Sequence, residues 1–294
     1  YDRASQKTHT NVEFGKIVPS KLAEIFPRLE ALSGFNIPIS GGVEFTLGPD
    51  GTLTDSFLFD LTGGAGSLSL PKIFPAPPNI TSLRMRGEAD VKLDALKFDE
   101  FFADTGGPIF SFDGFISGVP DQTAIQGSFE FQKMPFDDLK NYWPDTFLVS
   151  ARNWFLGNVF DGVVEKFTAQ LDVRPGELNS LESGLRPSIL ELDFIFHDAT
   201  VNYFPGQRYA YGVDGAGSGD GTSISMNLYD ATIEEMYAPS GVALITGMLQ
   251  DSALLTIIAN IEGPAANAIN ILDGPRLGYP RKMGFKSEQF SGQV

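Results

Sequence analysis

Strict alternation of apolar and charged residues is the feature that most restricts the fold of this chain. Across residues 83–93 every odd position holds an apolar residue or Gly87, and every even position holds a charged residue. Neighbouring side chains of a β-strand point to opposite faces, so this pattern predicts a long strand with one apolar face and one solvated face. Gly87 predicts a bend or a close approach within that strand.

The same period-two pattern recurs along the chain and predicts a mainly β protein of the α+β kind, with long antiparallel strands. Residues 49–51 and 214–221 lie between such segments and are predicted to be hairpin turns. The alternating apolar positions outside residues 83–93 are Val43, Phe45 and Leu47; Phe57, Phe59 and Leu61; Phe129 and Phe131; Val163, Phe167, Ala169, Leu171 and Val173; Leu190, Leu192, Phe194 and Phe196; Ile224, Met226 and Leu228; and Leu255, Ile257, Ala259 and Ile261.

Prolines recur in pairs and predict repeated units with short helices at their junctions. Each pair is followed by a Ser-Gly or Asp-Gly step that starts a new strand. We expect a first repeat over residues 1–160, a second over 161–290 and the start of a third at 291–294, so that the chain is a fragment of a longer repeat protein. The paired prolines are Pro19 and Pro27, Pro135 and Pro144, and Pro264 and Pro275.

The apolar faces of so many strands must either be covered by other parts of the protein or bind a ligand or partner. Two sheets could close as a sandwich, but covering helices are scarce, and one curled sheet would line an elongated β-groove. A sealed core of Phe side chains stays an open alternative. We expect the groove, because exposed apolar surface of this size marks a ligand or partner site. Its predicted lining residues are Val43, Phe45, Leu47, Phe57, Phe59, Leu83, Met85, Val91, Phe129, Phe131, Phe167, Leu171, Leu192, Phe194, Phe196, Ile224, Met226, Leu228, Leu255 and Ile257.

Charge and cysteine content limit the classes of function. The chain has 21 Lys and Arg against 37 Asp and Glu, a net charge of −16, and its basic residues are scattered. Nucleic acid is therefore not an expected partner, because long-range repulsion opposes binding. Cysteine is absent, which removes disulfides and thiolate metal sites and fits an oxidising compartment. Gln250, Asp251 and Ser252 interrupt the longest apolar stretch, residues 242–261, so no membrane span is predicted.

Histidine chemistry has little support in this sequence. The two histidines are His9 and His197, and Asp198 follows the second. No Gly-x-Ser-x-Gly nucleophile motif accompanies them, so a Ser-His-Asp hydrolase is disfavoured against an ordinary strand histidine.

Carboxylate and glycine motifs are equally weak, and we predict no catalytic residue, metal or cofactor. A glycosidase pair is disfavoured because adjacent residues of a strand face opposite ways. The glycine-rich residues 214–221 match neither a phosphate-binding loop nor an EF-hand. The adjacent carboxylates are Asp137 with Asp138 and Glu234 with Glu235.

Three segments together resemble one protein family. Residues 151–163 read ARNWFLGNVFDGV, residues 192–206 read LDFIFHDATVNYFPG, and residues 271–279 read ILDGPRLGY. They are similar to the AsmA-like family, particularly its large YhdP-like and TamB-like members. The resemblance covers most of the chain, more clearly after Pro135, and rests on packing and turn residues.

The resemblance implies a cell-envelope protein of a Gram-negative bacterium. Its location would be the periplasm, with the parent protein anchored in the inner membrane. Repeating β-groove units of this kind are similar to bridge-like lipid-transfer proteins that carry phospholipid towards the outer membrane. The implied partners are phospholipid or another diacyl lipid, further repeats of the same parent chain, and inner- and outer-membrane proteins.

Three functions stay open from the sequence. The first is lipid transport along the groove, without a covalent step. The second is an envelope scaffold or outer-membrane-protein assembly factor that acts by β-strand pairing. The third, an envelope hydrolase, is disfavoured. The sequence also leaves open which face of residues 189–197 points inward, since Ile189 and Ile195 compete with Leu190, Leu192, Phe194 and Phe196.

Overall fold

The computed structural model describes residues 7–54, 56–69, 77–92, 94–118, 122–143, 149–177, 190–204, 206–247, 254–275 and 277–294. These residues are mostly β, and their main feature is an open antiparallel sheet of 14 strands. The prediction of a mainly β fold with long antiparallel strands is confirmed.

The strands are β1 Thr8–Ile17, β2 Phe35–Asn36, β3 Ile39–Leu47, β4 Phe57–Gly63, β5 Gly66–Leu68, β6 Asn79–Ile80, β7 Ser82–Ala89, β8 Ala95–Asp104, β9 Ile109–Ser117, β10 Ala124–Pro135, β11 Val159–Phe160, β12 Val163–Val173, β13 Leu190–Val201, β14 Ala210–Asp220, β15 Ser223–Ile233, β16 Met236–Thr246 and β17 Leu254–Glu262. Strands β2, β5 and β6 form a separate small sheet.

The helices are short and lie at the predicted junctions. They are α1 Pro19–Ile25, α2 Leu139–Tyr142, α3 Val149–Asn158, α4 Ala265–Leu272 and α5 Tyr279–Lys282, with 3₁₀ turns at Pro27–Leu32, Phe136–Asp138 and Ser287–Gln289. Proline suits the first helical turn because its fixed φ is pre-set and its missing N–H is not needed there. Accordingly Pro19 opens α1, and Pro264 is the residue immediately before α4. Pro144 lies outside the described residues.

The chain divides into two compact units. The first comprises Tyr1–Lys133, Asn141–Phe147 and Thr168–Leu190, and the second comprises Met134–Lys140, Leu148–Phe167 and Glu191–Val294. The boundary predicted at residue 160 falls inside the second unit's segment Leu148–Phe167.

Strand order follows the chain within each unit. In the first unit neighbouring antiparallel strands run β1, β3, β4, β7, β8, β9, β10. In the second unit they run β13, β14, β15, β16, β17, and β11 pairs with β13. Neighbouring strands are thus connected up and down, as in the β-meander, except that α1 and β2 lie between β1 and β3, and β5 and β6 lie between β4 and β7.

One end of the first unit's sheet carries its most buried cluster. Ile37, which is fully buried, and Ile80 pack with Leu83 of β7 and Ala103 of β8. Ile37 directly follows β2 and Ile80 belongs to β6, so the small sheet supplies the covering layer at this end.

The strand predicted across residues 83–93 is shorter than expected. β7 ends at Ala89, and Val91 lies in the following turn with 44% of its surface exposed. Asp90 causes the turn, because its carboxylate accepts hydrogen bonds from the backbone N–H groups of Asp94 and Ala95. The prediction that Val91 continues the strand is therefore wrong, and Leu93 lies outside the described residues.

The glycine-rich residues 214–221 also differ from the prediction. All but the last belong to β14, which pairs on both sides, so the predicted hairpin turn is wrong. The turn comes after them, where the Asp220 carboxylate accepts hydrogen bonds from the backbone N–H groups of Thr222 and Ser223. The turn predicted at residues 49–51 is present, and Gly51 in it has a positive φ of 76°.

Candidate apolar ligand surface

The register of the first unit places its predicted lining residues on one face. Directly paired residues of antiparallel strands lie on the same side of a sheet. Val43 pairs with Phe59 and Phe59 with Gly87, while Phe101 pairs with Phe112 and Phe112 with Phe129. We call this side the first apolar face; it comprises Val43, Phe45, Leu47, Phe57, Phe59, Leu83, Met85, Phe98, Phe101, Phe110, Phe112, Phe129 and Phe131.

The opposite side of the same strands is polar. Arg84 pairs with Phe102 and Thr62 there, and its guanidinium contacts the Asp60 carboxylate at 2.8 Å and the Glu100 carboxylate at 3.7 Å. The alternation read from the sequence thus becomes a two-sided sheet, with ion pairs on one side and Phe-rich surface on the other.

Side chains of the first apolar face are shielded by each other. Phe59 is 8% exposed and Leu83 is 5% exposed, and the other members of the face are half-buried. On the polar side, Leu58 is 51% exposed and Phe115 is 41% exposed. The low exposure of the first apolar face results from contacts between its aromatic rings. Ring centroids lie 5.9 Å apart for Phe59 and Phe98 and 6.1 Å apart for Phe98 and Phe112, both in edge-to-face geometry.

The second unit repeats the arrangement. One row across five strands is Phe194, Gly217, Met226, Ala243 and Ile257, and a second row is Leu192, Gly219, Ile224, Ile245 and Leu255. We call this side the second apolar face; it comprises Leu192, Phe194, Phe196, Ile224, Met226, Leu228, Ile245, Leu255 and Ile257. Ile195 lies on the opposite side and is 43% exposed, which answers the orientation that the sequence left open.

Glycines of β14 form the floor beneath two Phe rings. A Cβ atom at Gly217 would lie 2.5 Å from Cζ of Phe194, and one at Gly215 would lie 2.5 Å from Cζ of Phe196. The two rings are stacked with an interplanar angle of 27°. Glycine is therefore needed in this strand so that both rings can lie flat against the backbone.

Two predicted residues lie on β12. Gln170 Nε2 donates a hydrogen bond to Ser128 Oγ at 3.1 Å, and Ser128 pairs with Asp113 on the polar side. Leu171 is the next residue of the strand, so it faces the apolar side and is half-buried. Phe167 is half-buried on the same strand.

Aromatic residues cover one end of each apolar face. In the first unit the Tyr142 ring lies 5.1 Å from that of Phe110. In the second unit the Phe136 ring meets Phe196 edge-on at 5.9 Å. Away from these ends most members of the first apolar face are half-buried. In the second apolar face Leu192, Phe196 and Ile224 are only 8%, 6% and 7% exposed, and Met226 and Leu228 are half-buried.

Four Phe residues of the first apolar face were missed from the sequence: Phe98, Phe101, Phe110 and Phe112. In β8 the register shifts between Phe98 and Phe101, so two residues three apart share one face and the period-two signal is broken. In β9 the signal was present, because Phe110 and Phe112 alternate with the polar residues Ser111 and Asp113.

His197 lies on the polar side of the second unit between two carboxylates. Its Nε2 is 2.7 Å from Glu165 Oε2, and its Nδ1 is 3.3 Å from Asp214 Oδ2. Hydrogen bonds to Glu165 and then to Asp214 raise the pKa of His197. The pKa of Asp214 is lowered, mainly because its carboxylate accepts a hydrogen bond from the backbone N–H of Asp198. Desolvation raises this pKa, and the hydrogen bond with His197 lowers it further. Because both ring nitrogens face carboxylates, neither is placed to activate a hydroxyl nucleophile.

The adjacent carboxylates of the sequence have structural contacts. Glu234 pairs with Arg208 at 2.7 Å, and Glu235 accepts a hydrogen bond from Asn267 Nδ2 at 3.0 Å. Asp137 and Asp138 lie in the 3₁₀ turn after Pro135.

Two open depressions in the described residues are lined mainly by the polar side. One of about 780 Å³ lies beside Glu13, Glu44, Asp60 and Arg86, and one of about 410 Å³ lies beside Asp193.

Comparison with known proteins gave no match to any family model, any curated protein or any solved structure. Among the helices of the described residues, none has both the length and the apolar content needed to cross a bilayer.

Proposed function

We propose that the two apolar faces bind the acyl chains of phospholipid or another diacyl lipid, and that this chain is a segment of a lipid-transport protein. The observation that carries the proposal is the segregation of side chains in the first unit: buried and half-buried Phe, Leu and Met side chains fill one side, and Arg84 with its carboxylate partners lies on the other. The second unit has a corresponding apolar face, whereas its opposite side carries Ser225 and Asn227 together with the exposed Val242 and Leu244. A surface of this kind offers hydrocarbon a dry contact while the protein stays solvated.

The energetic argument favours lipid over a smaller ligand. Seven strands at ~4.8 Å spacing give the first apolar face a width of about 29 Å. Each CH₂ group moved from water to an apolar surface gains ~0.8 kcal/mol, so a diacyl lipid with about 30 methylenes gains at most about 24 kcal/mol. No covalent step or cofactor enters the proposal: the acyl chains diffuse along the face and the head group remains in water.

We place this function in the periplasm of a Gram-negative bacterium. Support comes from the absence of cysteine and from the resemblance of three segments to the AsmA-like family. Under the same proposal, the parent protein is anchored in the inner membrane and carries further repeats.

Photocrosslinking from paired positions tests the proposal. Phe112 and Phe115 belong to the same strand, β9, but face the apolar and the polar side respectively. A photoreactive phenylalanine analogue at position 112 should crosslink to phospholipid from phosphatidylcholine vesicles, and the analogue at position 115 should not, although Phe115 is 41% exposed. Positions 194 and 195 provide the same comparison in the second unit.

Equal labelling at both positions of a pair would contradict the proposal, and so would absence of lipid adducts at both apolar positions. The second hypothesis from the sequence, an assembly factor that pairs β-strands, requires an available sheet edge. Among the described strands β17 pairs only with β16, and this is the feature that the second hypothesis would use.

A further inference from the structure

The polar side of the second unit carries four exposed tyrosines. Tyr209, Tyr211, Tyr229 and Tyr237 are 39%, 50%, 47% and 42% exposed, and they lie on or directly before the neighbouring strands β14, β15 and β16. A tyrosine ring has an apolar body and a polar tip, which suits contact with a ligand that is itself partly apolar and partly polar. Several exposed rings on one face of a sheet therefore mark a binding surface.

Backbone irregularities at one level of the sheet turn these tyrosines outwards. Gly212 of β14 and Asp230 of β15 have left-handed φ values of 62° and 44°. The pairing of β16 with β17 is shifted between Tyr237 and Ser240. In a regular strand, residues three apart face opposite sides, and an irregularity between them places both on one side. Irregularities of this kind re-aim side chains and are frequent next to functional sites.

The register confirms that the re-aimed side chains share one side. Directly paired residues lie on the same side of a sheet, and Asp214 contacts His197 on the polar side. Two rows of paired residues cross β14, β15 and β16 at this level: Tyr211, Thr232 and Tyr237, and then Asp214, Tyr229 and Ser240. We call Tyr209, Tyr211, Tyr229, Tyr237, Thr232 and Ser240 the tyrosine patch.

The rings of the tyrosine patch are held in place by neighbours. Phe160 stacks on Tyr209 with ring centroids 6.3 Å apart and an interplanar angle of 23°, and the Tyr209 ring lies 6.3 Å from that of Tyr211. The Tyr237 hydroxyl donates a hydrogen bond to the Asp230 carboxylate. Rings that are already oriented lose little conformational freedom when a ligand binds.

The polar groups among the rings are uncharged or acidic. The hydroxyls of Thr232 and Ser240 can each donate and accept a hydrogen bond, and Ser240 Oγ accepts one from Asn260 Nδ2 at 3.1 Å. The cation beside Tyr209 is Arg208, which contacts the Glu234 carboxylate at 2.7 Å. A ligand of this surface therefore has to be rich in hydroxyl groups and free of negative charge.

We propose that the tyrosine patch binds a neutral oligosaccharide. A pyranose ring has C–H groups on its faces and hydroxyls around its edge. Its faces pack on the tyrosine rings, and its hydroxyls exchange hydrogen bonds with Thr232, Ser240 and Asp230.

Other classes of ligand fit the tyrosine patch less well. An anionic ligand is opposed by the Asp214 and Asp230 carboxylates and by the net charge of −16. An acyl chain would cover the hydroxyls of Thr232 and Ser240 without giving them a partner. The patch also lies opposite the second apolar face, whose rows run through Gly217 and Met226, so sugar binding is independent of lipid binding.

Isothermal titration calorimetry with linear neutral hexasaccharides of glucose, mannose and galactose tests the inference. At least one should bind with a Kd on the order of 0.1–1 mM, because an open site surrounds little of the ligand. Tyr211→Ala and Tyr237→Ala should each raise that Kd at least about tenfold, whereas Tyr211→Phe keeps the ring and should change it by no more than about threefold. Tyr279→Ala removes a tyrosine that is 54% exposed outside the patch, and as the matched control it should leave the Kd unchanged.

A hexasaccharide of galacturonic acid tests the role of charge. It keeps the pyranose rings but adds carboxylates, so at about 10 mM salt it should bind at least about tenfold more weakly than the tightest neutral hexasaccharide, and about 1 M salt should reduce the difference. Urea unfolding checks that each variant is folded. Absence of binding by all neutral hexasaccharides, tighter binding of the acidic one, or an equal loss on Tyr279→Ala would overturn the inference. The probes carry no acyl chain, so their outcome is separate from that of the lipid proposal.

Discussion

His197 shows how single residues join strands on the polar side. The imidazole connects Glu165 of β12 and Asp214 of β14, and the residue that follows it, Asp198, adopts a left-handed φ of 57° and donates its backbone N–H to Asp214. A bulge at this point lets the chain turn its polar groups toward the carboxylate without disturbing the apolar neighbour Phe196.

The stabilisation from this cluster should depend on pH. The pKa of His197 is raised in the folded protein, so its contribution is complete below about pH 6.5 and is lost as pH rises through the raised pKa. The pKa of Asp214 is lowered, so its contribution is present above about pH 4 and is lost as pH falls. The cluster should therefore contribute most near pH 5.

Urea unfolding of the wild type and of His197→Gln measures this effect. At pH 5 the variant should be less stable by about 0.2–1 kcal/mol, a small value because the side chains are partly exposed and screened. At pH 9 the difference should shrink. A His197→Gln effect that is equal at both pH values would contradict the assignment.

At the scale of elements, β14 is a strand although its composition is typical of a turn. Glycine costs conformational entropy in a strand, so the run is retained only where a side chain would do harm. Here the Phe194 and Phe196 rings of β13 occupy the space that Cβ atoms would need. The glycines and the Phe rings are thus one packing unit spread over two strands.

Alanine at Gly217 should therefore destabilise the second unit. The new Cβ would lie 2.5 Å from Phe194 Cζ and 2.8 Å from Met226 Cγ, so the Phe194 ring would have to move away from the sheet. We expect a loss of about 1–3 kcal/mol in the free energy of unfolding, measured by urea denaturation. Gly157 is the matched control, because it lies in α3 with no atom within 4 Å of a new Cβ. Gly157→Ala should stabilise by up to about 1 kcal/mol, and a neutral Gly217→Ala would contradict the packing account.

At the scale of the whole molecule, a net charge of −16 acts on every encounter with a membrane. Anionic bilayers repel such a chain over roughly a Debye length, about 10 Å at 0.1 M salt, whereas zwitterionic bilayers do not. Under the proposed lipid-binding function, charge would affect the rate at which lipid reaches the apolar faces more than the affinity of the faces for acyl chains.

Lipid extraction should consequently depend on bilayer charge and on salt. At about 10 mM salt we expect faster extraction of a fluorescent phospholipid from phosphatidylcholine vesicles than from vesicles rich in phosphatidylglycerol, and about 1 M salt should remove the difference because the Debye length falls to about 3 Å. Dequenching of the fluorescent lipid measures both rates. A preference for anionic vesicles at low salt would contradict this expectation.

Much of the candidate surface was predictable because the side-chain period of a strand is local. Phe57 and Phe59, Leu83 and Met85, and Ile224 and Met226 reveal their shared side through spacing alone, and the structure places each pair on an apolar face. Prediction failed where a distant or polar contact decided the outcome. The Asp90 carboxylate accepts a hydrogen bond from the backbone N–H of Asp94 and so fixes a turn that ends the strand before Val91. The Phe rings of β13 occupy the space above β14, so the glycine-rich residues serve there as a strand and not as a turn.

The sequence by itself determined that this protein is built of two-sided β-strands, because alternation is a property of neighbouring residues. Only the tertiary structure decided which strands pair, and that Phe194 and not Ile195 faces the apolar side. The physical reason is that pairing and register depend on hydrogen bonds and packing between residues far apart in the chain, which no local pattern specifies.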